Sequence, residues 1–380
     1  MLSIQDDSVI PKPVLLALER VRQGADVMPE RQLNAVLQRE LGAQWRDSVV
    51  SFESTPIAAA SIGQVHRAVI DAGEEGEVDV VFKIQYPGVA RSIKSDLSNL
   101  KRLVTVGNFI PDNFFLDDAL AHAEEELQRE CDYTIEAANQ QTYRDLVLAS
   151  PILREQFYVP KVYPSHSTQH VLVSEFVKGI AIDRIADQPQ HLRNEVASSL
   201  LRLTMTELFV LAFQQSDPNW SNYLYDMESG KLNLIDFGAA RPYEEPFLMR
   251  YLALIRACAA RDRQAVIDHS VALGFLTGEE SKEMLHAHVQ ASFAVGEPFQ
   301  EQNRDKGFDF THNDIPARTA KFGKVMLQYR LTPPPKEAYS LHRRLSGAFL
   351  MSTRLGATIN AAEMLEATVA TLVAEGRVSS

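Results

Sequence analysis

Apolar positions follow one rhythm at the two ends of this chain and a different one between them. Leu15, Leu16, Leu18 and Val21, then Leu33, Val36, Leu37 and Leu41, recur at helical spacing and predict helix through residues 1–50. Pro29 suits a first helical turn, where its missing N–H costs nothing. From Pro56 the pattern changes. Residues 57–68 (IAAASIGQVHRA) read as strand, small-residue turn and strand; residues 71–79, rich in Gly and Glu, read as a loop tip; residues 80–84 read as an apolar strand. A helix over 95–106 and one long acidic helix over 117–149 follow. Residues 159–163 and 170–175 predict two short strands, and 191–214 a thoroughly buried, Leu-rich helix. Residues 232–235 form the second arm of a β-hairpin. After Arg241 the chain reads as helical to its end, in segments near 246–260, 263–273, 278–296, 313–329 and 335–374 divided by Gly and Pro.

Composition narrows the class without naming a function. The 380 residues suffice for a two-lobed body, and 45% hydrophobic content is ordinary for a globular protein. A formal charge of −12 argues against a nucleic-acid binder, which carries a basic footprint. Cys131 and Cys258 give neither a disulfide framework nor a zinc pattern, and read as reduced thiols. His286 and His288 stand two apart, on different helix faces, which argues against a zinc pair. The opening residues lack the basic, apolar leader of a signal or transit peptide. No run reaches the roughly 18–20 apolar residues of a membrane helix, so the chain is expected to be soluble.

The chemistry concentrates in residues 213–241 (FQQSDPNWSNYLYDMESGKLNLIDFGAAR). Asp217 is followed five positions later by Asn222, and the hairpin then delivers Asp236-Phe237-Gly238. Kinase-like folds use this arrangement to orient an acceptor hydroxyl with one aspartate and to hold Mg²⁺ with the asparagine and the second aspartate. Lys83 stands in an apolar strand, where an unpaired lysine is costly to bury. It is read either as an edge-strand lysine turned outward or as the lysine that bridges nucleotide phosphates and a helix glutamate. The small-residue turn before it and the Asp-Phe-Gly after it fit the second reading. Glu130, three residues beyond Leu127 and three before Tyr133, falls on the inward stripe of the acidic helix and is the first choice of partner; Glu136 is the reserve. Residues 174–179 (SEFVKG) read as a hinge, where backbone groups at Glu175 and Val177 would meet an adenine edge.

These motifs together resemble the UbiB family of atypical protein-kinase-like proteins, and above all its mitochondrial branch, which supports coenzyme Q (ubiquinone) biosynthesis. The likeness is carried by AAASIGQ (58–64), VFKIQYPGV (81–89), ECDYTIEAAN (130–139), SDPNWSNYLY (216–225) and LIDFGAAR (234–241). It implies an α+β, bilobal protein-kinase-like fold: an N-terminal helical extension (1–50), a β-sheet N-lobe (51–176) and a helical C-lobe (177–380). It implies an alanine-rich nucleotide loop at Ala58, Ala59 and Ala60, continued by Ser61 and Gln64, where ordinary kinases place glycines. Alanine does not readily take positive φ, so that loop must cover the phosphates differently. The nucleotide lysine maps onto Lys83, the Glu-x-Asp motif onto Glu130 and Asp132, and the metal pair onto Asn222 and Asp236. Gln215-Ser216-Asp217 replaces His-Arg-Asp, which leaves a phosphorylated activation loop without its arginine anchor. The family's Lys-x-Gly-Gln motif, and the targeting and transmembrane segments of mitochondrial members, would fall before residue 1.

The resemblance thus implies an enzyme that binds ATP or ADP with Mg²⁺ and transfers a phosphoryl group to water or to a small or lipid acceptor. Lys83, Glu130 and Asp217 would be its catalytic residues. A nucleotide-gated scaffold or lipid-handling module for a coenzyme Q biosynthetic complex is the alternative, and a protein kinase the third reading. Implied partners are coenzyme Q biosynthetic proteins and isoprenoid quinone intermediates, with peripheral membrane association, no nucleic acid, and a homodimer left open. The implied location is the matrix side of the mitochondrial inner membrane in a eukaryote, or the membrane-associated cytoplasm of a bacterium.

Overall fold

The structure, a computed structural model, describes residues 27–59, 62–106 and 116–378. The helix expected around Leu15–Val21 and the loop residues Ala60 and Ser61 lie outside the described residues. Helix α1 (Glu30–Leu41) precedes a five-stranded antiparallel sheet. Its strands are β1 (Val49–Phe52), β2 (Ala58–Ala59), β3 (Gly63–Asp71), β4 (Glu77–Gln85) and, joining later, β6 (Val171–Glu175). Strands β3 and β4 pair in unbroken register from Gly63↔Gln85 to Asp71↔Glu77, so alternate residues face opposite sides.

One side is closed by α1. Ala68, Ile70, Val80, Phe82 and Ile84 form a core there with Leu33, Val36, Leu37 and Trp45. Gln64 and His66, paired with Ile84 and Phe82, face the same way. The other side carries Gly63, Val65, Lys83 and Gln85. It meets α2 (Val89–Val106), α3 (Leu116–Glu130) and α4 (Tyr133–Ala149), through a smaller core of Ile62, Ile93, Cys131, Tyr133 and Leu172.

The single helix expected over 117–149 is two helices. The break falls at Cys131-Asp132, where the Asp132 carboxylate caps α4 by accepting from Thr134 N at 3.0 Å. Such a cap stabilises a new helix start by roughly 1 kcal/mol. Helix α2 starts earlier than residue 95, and residues 159–163 make no strand, only a bridge between Val162 and Ser174.

A short helix α5 (Pro151–Gln156) leads to β5 (Phe157–Tyr158), which joins β7 (Ile180–Ala181), β9 (Tyr223–Tyr225) and β10 (Leu232–Leu234) in a four-stranded sheet ordered β5-β10-β9-β7. Helix α6 (Gln190–Met205) runs into a π turn over Thr206–Val210, and the chain then extends as β8 (Phe213–Gln215) to pair with β11 (Ala240–Pro242). The remainder is helical: α7 (Glu245–Ala259), α8 (Arg263–Leu273), α9 (Lys282–Gly296), α10 (Ile315–Tyr329), α11 (Lys336–Arg354) and α12 (Ala361–Ala374). The helix expected over 335–374 is broken after Arg354. Gly356 takes φ +58°, and Thr358–Ile359 pairs with Phe308–Asp309 as a small ribbon. Among the described residues no helix is long and apolar enough to cross a membrane.

Candidate active site

Alternation along β4 turns Lys83 into the space between the large sheet and the helical body. There its ammonium is held by both oxygens of Glu136, at 2.7 and 2.9 Å, and by Asp236 Oδ2 at 3.2 Å. Burial pulls the Lys83 amine down, but the Asp236 and Glu136 carboxylates outweigh it and hold it well above its ordinary value. It stays charged.

The partner of Lys83 is therefore Glu136, and the expectation of Glu130 is corrected. An inward stripe through Glu130 requires one continuous helix, but α3 ends there. In α4 the buried positions are Tyr133, Glu136, Gln140, Tyr143 and Val147, and Glu136 is the carboxylate on that stripe. Glu130 instead approaches Gly238: a Cβ built on that glycine would lie 3.9 Å from Glu130 Cγ. Burial, then the charges of Asp236 and Asp217, push the Glu130 carboxyl up to about 7.

The same helix fixes the Asp-Phe-Gly turn. Phe237 is fully buried and its ring lies 5.1 Å from that of Tyr143. Asn139 Nδ2 donates to Phe237 O at 3.1 Å and to Ala240 O at 2.9 Å. Gly238 N donates to Asp236 Oδ1 at 3.0 Å, which aims the other oxygen at Lys83. Pairing of β8 with β11 then brings the Asp217 loop alongside. Gln215 Nε2 donates to Asp236 O at 2.6 Å, while its Oε1 accepts from Asp217 N at 3.2 Å. Asn222 Nδ2 donates to Asp217 Oδ2 at 2.9 Å. Burial and the Asp236 charge raise the Asp217 carboxyl, against the Asn222 hydrogen bond and the Arg343 cation.

Arg343, on α11, was not foreseen. Its Nε donates to Ser216 O at 3.0 Å and a terminal nitrogen to Ser216 Oγ at 3.2 Å. Ser216 occupies the arginine position of His-Arg-Asp, so a cation more than a hundred residues downstream reaches the loop that lacks its own. Glu126 of α3 ties Arg343, at 3.4 Å, to Arg241. Beneath the loop, the buried pair Arg344–Glu207 (2.8 Å) also binds Tyr223 and Tyr143. No local sequence signal marks Arg343 or Arg344, whereas Arg241 and Asn139 lie within LIDFGAAR and ECDYTIEAAN.

Of the remaining expected residues, Ala58 and Ala59 form exposed β2, paired with Val65 and Gln64 of β3. Gln64 does not reach it: its side chain, 1% exposed, lies on the α1 face, accepting from Met28 N at 2.8 Å and contacting His66 Nε2 at 2.7 Å. Its assignment to the nucleotide is corrected, because strand alternation turns it away. Glu175 ends β6; its Oε2 accepts from Tyr158 Oη and from Lys161 N, and its own N–H donates to Lys161 O at 2.8 Å. Val177 follows in the connection to β7.

Among the described residues no three His, Cys, Asp or Glu side chains converge as ligands to one ion. Mg²⁺ does not need such a cage, since it keeps waters and shares phosphate oxygens. Asp217, Asp236 and Glu130 instead crowd negative charge beside Lys83, and Glu130 and Asp217 are pushed up by burial first and by that crowding second. A divalent cation relieves this kind of excess, so the donor set fits one.

Comparison with known proteins agrees with this geometry. The profile of the ABC1 atypical kinase-like domain matches residues 20–270. The chain is 41% identical over 366 residues to the mitochondrial atypical kinase COQ8 of Saccharomyces cerevisiae, covering 96% of this chain and 71% of that protein. It is 44% identical over 368 residues to the mitochondrial atypical kinase COQ8B of Rattus norvegicus, covering 97% and 68%, and 43% identical to that of Danio rerio, covering 96% and 57%. The chain thus spans between 57% and 71% of these relatives. A solved Mycobacterium tuberculosis structure, that of the Rv3197–erythromycin complex, superposes with TM-score 0.67 at 25% identity, over 94% of this chain and 86% of that one. A lysine, a helix glutamate and an Asp-Phe-Gly aspartate joined across two lobes, on a sequence this similar to named atypical kinases, make the chain a member of the ABC1 (UbiB) atypical kinase-like family.

Proposed function

We propose that this chain is an atypical kinase-type ATPase of coenzyme Q biosynthesis, binding ATP or ADP with Mg²⁺ and passing a phosphoryl group to water or to a small or lipid acceptor. The observation that carries this reading is the contact of Lys83 Nζ with Glu136 at 2.7 Å and Asp236 at 3.2 Å, with Asp217 and Asn222 bonded beside it. Lys83 would bind the α- and β-phosphates, and Glu136 would hold the ammonium in place. Asp236 and the amide oxygen of Asn222 would hold the metal; when bound, Mg²⁺ would neutralise charge on the phosphate oxygens. Asp217 would accept the proton of the attacking oxygen as that oxygen bonds to the γ-phosphorus and the β–γ bond breaks. Its raised carboxyl suits a base that must also release the proton.

The adenine edge would rest on backbone at Glu175 and Val177, and β2 at Ala58 and Ala59 would cover the phosphates. The named relatives are mitochondrial, and the same compartment, with coenzyme Q biosynthetic proteins and isoprenoid quinone intermediates as partners, belongs to this reading. A thermal-shift titration tests it. Saturating Mg-ATP should raise the melting temperature, by about 2.7 kcal/mol of added stability at a hundredfold excess over Kd. ATP with EDTA should do so much less. A melting curve indifferent to both would refute the nucleotide site.

A further inference from the structure

We propose that Tyr133 is a phosphate-binding residue, its hydroxyl donating to the phosphate chain of the nucleotide beyond the α-phosphate. The inference rests on the nucleotide reading above and goes a step past it. Tyr133 is 1% exposed, and its hydroxyl has no hydrogen-bond partner among the described residues. A buried hydroxyl left unsatisfied costs free energy, and phenylalanine would fill the same core without that cost. The oxygen therefore calls for a partner that the free protein does not supply.

Its position identifies that partner. The Lys83 ammonium stands 5.2 Å from the centre of the Tyr133 ring, and Glu136, one turn along α4, is the group that binds it. The hydroxyl lies against the start of β3: a Cβ built on Gly63 would fall 2.9 Å from Tyr133 Oη and 2.4 Å from Ile84 O. Gly63 pairs with Gln85 and Val65 with Lys83, so Gly63, Lys83 and the hydroxyl share the cleft side of the sheet. The hinge is at the opposite end, where Val80 pairs with Glu175. Gly63 and Gln85 are two residues farther from it than Lys83, toward the distal phosphates. The ring is also fixed. Tyr133 N donates to Gln169 O at 2.9 Å, Asp132 caps its helix, and Gln85 Nε2 donates to Cys131 O at 2.9 Å. Burial holds the phenol above its ordinary range, so it remains a donor.

Calorimetric titration of the full chain and its Tyr133→Phe variant with Mg-ATP, Mg-ADP and AMP tests the proposal. A hydrogen bond to a charged acceptor predicts an affinity loss of about tenfold or more for Mg-ATP and Mg-ADP, with AMP unchanged. The nucleotide-free variant should melt at the same temperature as the parent or higher, because an unsatisfied oxygen has been removed. Unchanged affinity for all three ligands would overturn the proposal while leaving the nucleotide site intact, and would assign the hydroxyl to a buried water. An equal loss for AMP together with a lower melting temperature would overturn it in favour of a packing role. A parent that binds none of the three would instead defeat the nucleotide reading itself.

Discussion

Glu136 grips Lys83 with both carboxylate oxygens, at 2.7 and 2.9 Å, across the interface between α4 and β4. Both side chains are largely buried, at 3% and 15% exposed. Removing one charge of such a pair strands the other, which typically costs about 3–5 kcal/mol. Glu136→Gln should approach the lower end of that range, because Asp236 still contacts the ammonium. Glu130→Gln should cost no stability and at neutral pH should raise it, since Lys83 keeps its partner and a carboxyl pushed up to about 7 by burial and by Asp236 and Asp217 is removed. Chemical denaturation of both variants would measure this, and a larger loss for Glu130→Gln would reverse the assignment.

Asp217 and Asp236 lie in one cluster, and the proposed function gives them separable roles. General acid–base help is typically worth about 10²–10⁴-fold, so Asp217→Asn should cut phosphate release by roughly that much while Mg-nucleotide still binds. Asp236→Asn should weaken the binding itself. Steady-state ATPase assays beside calorimetry would separate the two, and full turnover in both variants would exclude the proposed chemistry.

Arg343 supports the Asp217 loop through the carbonyl and hydroxyl of Ser216. Hydrogen bonds to charged groups contribute about 1.5–3 kcal/mol each. Arg343→Gln should therefore lower kcat by roughly tenfold or more while leaving the Kd for Mg-nucleotide near the parent value. Arg343→Lys should restore little, because an ammonium cannot reproduce the planar fork. A change confined to nucleotide affinity would contradict a positioning role.

Gly347 lies on the same helix as Arg343, against the same loop. A Cβ there would stand 2.1 Å from Pro218 Cβ, next to Asp217. Gly347→Ala should cost about 1–3 kcal/mol of stability as an overpacked contact, and turnover should fall with it as Pro218 is pushed aside. An alanine variant with parental melting and activity would show that α11 docks more loosely than described.

Among the helices of the C-lobe, His288 is 8% exposed and its Nε2 lies 2.8 Å from Ser270 Oγ. Burial, then the Arg330 cation and His342, push it down to about 4, against a smaller opposing pull from Glu280. The unfolded chain takes up this proton near pH 6.5. The stabilising contribution is complete above that pH and is lost as pH falls toward 4, up to about 3 kcal/mol. Unfolding free energies at pH 7 and pH 4.5 should thus differ less in His288→Gln than in the parent. Equal differences would show that the imidazole titrates normally.

How much of this was legible beforehand depended on how local each feature is. The alternation that puts Lys83 on one side of β4, the apolar hairpin that ends at Asp236, and the spacing from Asp217 to Asn222 are properties of short stretches. Those residues meet where they were expected to. Alternation also places Gln64 on the far side of the sheet, where Met28 and His66 satisfy it, although the motif alone pointed it at the nucleotide. The choice between Glu130 and Glu136 was not local, because it turned on whether one helix or two spanned 117–149. Periodicity cannot see a break that Asp132 makes by capping a second helix, after which the inward stripe restarts at Tyr133. Arg343 lay beyond sequence reasoning altogether. Its place beside Ser216 follows from how α11 packs on the Asp217 loop, through a glycine that lets Pro218 approach. Periodicity and motif spacing located most of the elements and the residues proposed to react, and the resemblance carried by those motifs implied the fold, because short-range sterics and burial govern such stretches. Which carboxylate meets the lysine, and which cation supports the aspartate loop, was decided only when helices distant in sequence closed around the cleft.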